Sequence, residues 1–341
     1  MAQAPAFIQT TVTSTRIRLA RNLAAYPFPE RLDEKLAGEI VYLVEQGLKE
    51  LDEFEKQDMG KLSREEATLL QEQHLISPAL IRKKNLAAAF LSADRSTSIM
   101  VNEEDHLREQ YIYKGFDLYK AYEHISAIDE ALGERLDFAY DKKLGYLTAC
   151  PSNLGTGMRA SVMMFLPALA RTDELKGFLP TLKAGGLTVR GVFGEGTAAE
   201  GYSYQVSNER TLGQSESEIL DQMVRMTMTL CDLEIRAREE MLKVEKIPLL
   251  DECLRAFGVL TNCAVLTHKE LTAGMVKIRL GMALGFFKAR EALDFNDFAA
   301  DMRPASFKLK NGLRGASEYE CNLMRAEIVR RVLPELVVRA D

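Results

Sequence analysis

Hydrophobic and polar positions follow two rhythms along the 341 residues. Over 11–23, Thr-Val-Thr-Ser-Thr-Arg-Ile-Arg-Leu-Ala-Arg-Asn-Leu, the alternation predicts a strand or turn rich in Thr and Arg. Residues 32–56 and 63–74 space their apolar positions three and four apart, with acidic and basic faces, and predict helices. Apolar runs at 86–92 and 97–102 flank Ala-Asp-Arg-Ser and predict a hairpin. Helical spacing returns over 116–133, with Gly133 as its stop. Strand-like pieces recur at 144–149 and 187–193, the second preceded by the turn pair Gly185-Gly186. The polar, Gly-rich 194–201 reads as a lid-type loop, and 202–207 as a strand.

From Ser215 to about Lys243 the pattern is one long amphipathic helix, opened by a capping box of Ser215 and Glu218. Residues 247–341 are helical almost throughout, broken at Gly258, Pro304 and Gly312–Gly315. The change from mixed elements to helices near 225–245 sets the expected domains at 1–230 and 231–341. The expected fold is α+β: an antiparallel sheet flanked by helices, followed by an all-α C-terminal domain.

Composition narrows the function classes. A hydrophobic fraction of 47% and a charged fraction of 28% fit a soluble globular protein. A net charge of −6 argues against bulk nucleic-acid binding. No apolar run approaches the roughly 20 residues that span a bilayer, and the N-terminus lacks the basic and apolar regions of a signal peptide. The five cysteines are scattered and form no C-x-x-C pair, so a reducing cytoplasm is expected and a zinc site is not. The four histidines show no metal-ligand spacing either.

The chemistry concentrates in two stretches, Cys150-Pro-Ser-Asn-Leu-Gly-Thr-Gly-Met-Arg159 and Asn102-Glu-Glu-Asp-His-Leu-Arg108. Arg16 and Arg18, two apart on a strand, share a face and suit bidentate capture of phosphate oxygens; a solvated basic edge strand would read the same way. Of Glu103 and Glu104, adjacent residues, one is expected to face a site, where a carboxylate could pair with a guanidinium and take its proton. An ordinary acidic turn is the alternative. Gly155-Thr156-Gly157 with Asn153 could present amides to phosphate, although no G-x-x-x-x-G-K-[ST] loop exists here. Cys150 is either a thiolate activated by arginines or an inert cysteine at a strand end. His106 reads as a structural, hydrogen-bonded histidine, and Met223, Met226 and Met228 as core.

Taken in order, Ser14-Thr-Arg-Ile-Arg18, the two stretches above, Val189-Arg-Gly191, Ser207-Asn208 and Leu212-Gly213 resemble the phosphagen kinase catalytic domain, with its glutamine synthetase-like sheet, over about 10–225. The closer resemblance is to the bacterial McsB-type protein arginine kinases. Arginine and creatine kinases carry a helical domain before the Arg-x-Arg motif. Here the helical region follows, and Ile278-Arg-Leu-Gly-Met-Ala-Leu-Gly285 is similar to the McsB C-terminal domain. A site without that N-terminal cover is expected to admit an arginine on a polypeptide.

The resemblance implies that Arg16, Arg18, Arg108, Arg159 and Arg190 clamp the phosphates of ATP. It implies that Glu104 orients and deprotonates the substrate guanidinium, that Glu195 is a second guanidinium-binding carboxylate, and that Cys150 is the thiol beside that substrate. Mg²⁺ would be held by nucleotide and water, with no protein ligands. Implied partners are protein substrates with exposed arginines, a McsA-like activator, a CtsR-like repressor, the ClpC–ClpP protease and a second copy of the chain, in bacterial stress response. One departure stands out: Cys321-Asn-Leu-Met-Arg-Ala326 occupies the place of an Arg-Asp-x-x-Arg-Ala phosphoarginine motif. Transfer to free arginine or another small guanidino compound, and a non-catalytic adaptor role, are the competing readings.

Overall fold

The computed structural model describes residues 6–49, 51, 54–191, 201–290 and 295–340. Its strands are β1 (Val12–Arg21), β2 (Phe54–Asp58), β3 (Ala88–Ser92), β4 (Thr97–Val101), β5 (Leu107–Lys114), β6 (Tyr140–Asp141), β7 (Gly145–Tyr146), β8 (Met158–Phe165), β9 (Leu187–Gly191), β10 (Ser203–Asn208), β11 (Phe287–Ala289) and β12 (Val337–Arg339). Its helices are α1 (Ala6–Thr11), α2 (Glu34–Leu48), α3 (Arg64–Glu72), α4 (Pro78–Lys83), α5 (Leu118–Gly133), α6 (Pro167–Arg171), α7 (Glu174–Ala184), α8 (Glu216–Asn262), α9 (His268–Ala283), α10 (Phe295–Asp301), α11 (Pro304–Lys310) and α12 (Glu318–Leu336).

Eight strands form one antiparallel sheet in the order β2-β3-β4-β5-β1-β8-β10-β9. The long strand β1 lies between β5 and β8, and its alternation divides the sheet into two faces. Ile17 and Leu19 point into the core and are fully buried, each contributing about 1.5–3 kcal/mol by leaving water. Helix α5 packs on β1 and β5, and α8 on β8 and β10. Arg16 and Arg18 stand on the other face, half-buried. A single sheet thus supplies a hydrophobic floor and a cationic surface from one alternating segment.

Local signals start the helices. Asp33 Oδ1 accepts from Leu36 N at 2.8 Å, and Ser63–Glu66, Ser215–Glu218, Thr267–Glu270 and Ser317–Glu320 close capping boxes. The expected helix over 32–56 ends at Leu48; Phe54–Asp58 pairs instead with β3 as the edge strand. Backbone partners offered by a neighbouring strand override a weak helical period there. Only Gly145 and Tyr146 of the expected strand 144–149 are in a ladder. Strands β5 and β8 carry no strong alternation and were not expected.

Helix α8 runs to Asn262 without breaking at Gly258, through Pro248 and one non-helical residue, Glu245. Proline removes the hydrogen bond to the carbonyl four residues earlier and crowds it, which locates the kink. The expected boundary at 230–231 lies within α8, before that kink, at Leu230 and Cys231, both buried. Buried Glu234 fastens this part of α8 to the sheet end: its carboxylate accepts from Ala168 N, Leu169 N and Arg238 Nε at 3.1, 3.0 and 2.7 Å. The C-terminal region is helical with one addition, the antiparallel pair β11–β12.

Candidate functional site

Register builds the site. Arg18 on β1 stands opposite Arg159 on β8 and opposite Gln110 on β5; Ala20 stands opposite Arg108. Since directly paired residues share a face, Arg16, Arg18, Arg108 and Arg159 converge on one side of three adjacent strands. Arg190, on β9 and exposed, is near enough that its charge acts on Arg159. Burial, then facing Arg108 and Arg159, lowers Arg16 to about 9, with Glu103 opposing. Arg18 is held well below its ordinary value by burial and then by Arg16, Arg108 and Arg159. Burial and the charges of Arg190 and Arg108 lower Arg159 as well. The Nε atoms of Arg16, Arg18 and Arg159 are buried and meet no hydrogen-bond acceptor among the described residues. Crowded cations, three of them with unpartnered Nε atoms among the described residues, suit a polyanion, and the donor set fits a triphosphate.

The two adjacent glutamates divide their work, and the divider is a turn rather than a strand. Residues 102–106 link β4 to β5, closed by Asn102 N donating to His106 O at 2.9 Å. Asn102 adopts φ 61°, held by its side-chain amide donating to Ala37 O and Leu86 O. Glu103, 3% exposed, turns inward and accepts from Arg108 Nη1 at 2.8 and 2.7 Å and from Ser77 Oγ. Glu104 is exposed and lines a cleft with Arg18, Arg108, Arg159, Ser152 and Asn153. Glu103 and Asp105 line it too but are buried, so one exposed carboxylate, Glu104, shares the cavity with three guanidinium groups.

Asp105 and Asn22, which the sequence reading did not single out for a role, hold this cleft together. Asp105 Oδ1 accepts from Ala149 N at 2.6 Å and from Asn22 Nδ2 at 2.7 Å, and Asn22 Oδ1 accepts from His106 N at 2.9 Å. Burial raises the Asp105 carboxyl above its usual range, these hydrogen bonds opposing and the Glu104 and Glu103 charges adding. His106 Nδ1 accepts from Leu23 N at 3.0 Å and its Nε2 lies 2.9 Å from Pro27 O, so Nε2 carries the proton. Burial keeps this ring neutral, in a structural role. Met223 is buried and Met226 and Met228 pack on the same core.

Cys150 is half-buried, with Sγ 3.0 Å from Ser152 Oγ. Its neighbours Ser152 and Asn153 line the cleft. The glycines after it do not form a phosphate cradle. The amides of Asn153, Leu154, Gly155 and Thr156 donate to Cys150 O, Pro151 O, Tyr146 O and Thr211 O. Gly157, at φ +64°, is required because a Cβ would lie 2.5 Å from Arg21 Nη1 and 2.6 Å from Ala20 O. Glu195 and nearly all of the expected lid 194–201 lie outside the described residues.

In the C-terminal region, Cys321, Asn322, Arg325 and Ala326 are buried. Arg325 Nη1 donates to Leu266 O at 3.0 Å and to Asn322 Oδ1 at 2.5 Å, and its guanidinium lies 4.8 Å from the Phe307 ring centroid. No helix is long and apolar enough to cross a membrane among the described residues.

Known proteins share this architecture. Residues 37–237 match the family model of the ATP:guanido phosphotransferase C-terminal catalytic domain, and 246–339 that of the protein-arginine kinase McsB C-terminal domain. A protein-arginine kinase of Caldanaerobacter subterraneus subsp. tengcongensis is 40% identical over 324 residues, 93% of this chain and 95% of that protein. One from Geobacillus sp. is 41% identical over 282 residues, 81% of this chain and 78% of its own length. Among solved structures, the duplicated taurocyamine kinase of Schistosoma mansoni with bound transition state analog components superposes with a TM-score of 0.62 at 29% identity, over 68% of this chain and 34% of that one. A lombricine kinase superposes with 0.60 at 26% identity, over 69% of this chain and 68% of its own.

Proposed function

Because the chain belongs to the protein-arginine kinase branch of the ATP:guanido phosphotransferase family, we propose that its cationic cleft transfers the γ-phosphoryl group of ATP to arginine side chains of proteins. The observation that carries this reading is the shared cleft: Glu104 faces Arg18, Arg108 and Arg159 across one cavity. Arg16, Arg18, Arg108, Arg159 and Arg190 hold the triphosphate and balance the charge of the transferring group, where most of the catalysis of phosphoryl transfer lies. Glu104 pairs with the substrate guanidinium. As its nitrogen bonds to the γ-phosphorus and the bond to the ADP oxygen breaks, Glu104 takes the N–H proton. Glu103, buried at the wall of the cleft, is engaged by Arg108 and holds it in place. Cys150 and Glu195 complete the guanidinium side, and Mg²⁺ enters with the nucleotide.

The finer parts of the proposal rest on the family resemblance. They are two domains meeting within α8, action in the cytoplasm in stress response, a homodimer, and partners comprising a McsA-like activator, a CtsR-like repressor and ClpC–ClpP. The test is incubation with ATP and Mg²⁺ of an unfolded protein such as casein, or of free arginine, with mass spectrometry under conditions that preserve P–N bonds. Phosphoarginine in the protein is the expected result. Phosphate on free arginine alone would replace this reading with a small-guanidino kinase, and none on either with an adaptor.

A further inference from the structure

Arg16 is tied to the C-terminal region through a short line of hydrogen bonds. Its Nη2 donates to Gln110 Oε1, and Gln110 Nε2 donates to His74 O at 2.6 Å. An acceptor for a guanidinium and a donor to a carbonyl leave the Gln110 amide one orientation. Gln110 is fully buried, so neither bond can be exchanged for water. Next to it, Ser98 Oγ donates to Leu75 O at 2.7 Å. Two sheet side chains thus grip consecutive carbonyls just after α3.

That turn is held from its far side as well. Helix α3 closes with Leu75 N donating to Leu70 O and His74 N to Gln71 O, which puts His74 at φ 62°, a position favouring glycine. Arg303 Nη1 donates to Glu72 O. The Glu72 carboxylate accepts from Ala305 N, Ser306 N and Ser306 Oγ at 2.9, 2.9 and 3.0 Å and so caps α11. The charges of Arg303 and Arg16 both reach the His74 ring, which desolvation and then these two cations lower to about 4.

We infer that Gln110 is a positioning residue for Arg16, and that the C-terminal segment Arg303–Ser306 sets its anchor by holding the turn at Glu72–His74. The inference rests on the reading that Arg16 grips the nucleotide. Arg16 has a buried Nε with no acceptor among the described residues, and its side-chain hydrogen bond to Gln110 orients the guanidinium. Without Gln110 the group would sample other rotamers and bind phosphate less well.

The test is equilibrium titration of the full-length protein with a fluorescent ATP analogue and Mg²⁺, which needs no turnover. Gln110→Leu should weaken the Kd about tenfold, the usual scale for a hydrogen bond to a charged group. Arg303→Met should weaken it in the same direction. The double variant should match Gln110→Leu, because both changes cut one line. If Gln110→Leu does not fold, Gln110→Asn, one methylene too short to span both partners, takes its place. A purely structural role would lower the active fraction and leave Kd unchanged. An unchanged Kd in the Gln110 variant, or in Arg303→Met, or effects that multiply in the double variant, would overturn the inference. Arg16→Ala is titrated alongside: if it binds as tightly as wild type, the reading of the cleft fails, and the inference with it.

Discussion

Asp105 Oδ1 lies 2.6 Å from the amide nitrogen of Ala149, and this bond fastens the turn carrying Glu104 to the loop carrying Cys150. Asp105 is 3% exposed and also accepts from buried Asn22, so removing it takes an acceptor from that amide and from the Ala149 N–H. Asp105→Ala should destabilise the fold by about 1–3 kcal/mol and lower kcat more than it changes the KM for ATP. Urea unfolding and initial-rate kinetics check both halves. A stable variant with unaltered kcat would show that the two loops hold each other by other means.

Glu104 is exposed in the cleft, whereas Glu103 is engaged by Arg108. Glu104→Gln should therefore reduce transfer about 100-fold or more, the scale of a lost general base, with ATP binding nearly unchanged. Glu103→Gln should instead loosen Arg108 and weaken ATP binding. Nucleotide titrations and single-turnover rates on both variants distinguish the roles, and the reverse pattern would exchange the assignments.

Arg159 is lowered by burial and by the charges of Arg190 and Arg108, so it is electrostatically unfavourable when no anion is bound. Arg159→Met should leave the thermal stability of the ligand-free protein equal or higher. It should also shrink the rise in Tm that ATP and Mg²⁺ produce, since that rise follows the affinity. Thermal melts with and without nucleotide give both numbers. A Met variant that gained as much from ATP as wild type would remove Arg159 from the phosphate site.

Beneath the cleft, on the core face, Glu109 is fully buried, and neither of its carboxyl oxygens meets a donor among the described residues. Burial and the facing Asp129 carboxylate raise it well above the usual carboxyl range, with Arg21 opposing. Asp129 is occupied by Arg21, whose Nε and Nη2 each donate to it at 2.8 Å. The native state therefore keeps a proton on Glu109 that the unfolded chain releases above about pH 4.5. The associated stability is full below that pH and is lost as pH rises toward the folded-state value. Glu109→Gln keeps the shape and a donor without titrating. Its Tm should exceed that of wild type by roughly 2–4 °C at pH 8, with the gap closing toward pH 4.5. A gap independent of pH would mean that Glu109 is not protonated in the fold.

Much of the molecule was legible locally. The capping box of Ser215 and Glu218 marked the start of α8, and the 86–102 pattern marked the β3–β4 hairpin, because both signals lie within a few residues of each other. Phe54–Asp58 misled because an edge strand is stabilised by its neighbour and needs little pattern of its own. Gly155 and Gly157 suggested phosphate, yet they answer to close contacts with Thr211 and with Arg21 and Ala20, about which local sequence is silent.

From the chain alone came the side chains that can bind a polyanion and take a proton, the alternation that sends Arg16 and Arg18 to one face, and the helical character of the C-terminal region. Tertiary structure decided that β1 lies between β5 and β8, which of two adjacent glutamates is exposed in the cleft and which is held by Arg108, and that Gln110 bridges Arg16 to His74. Those outcomes depend on strand register and on hydrogen bonds between residues tens to hundreds of positions apart. Burial selects among such pairings, and no short window of sequence contains both partners.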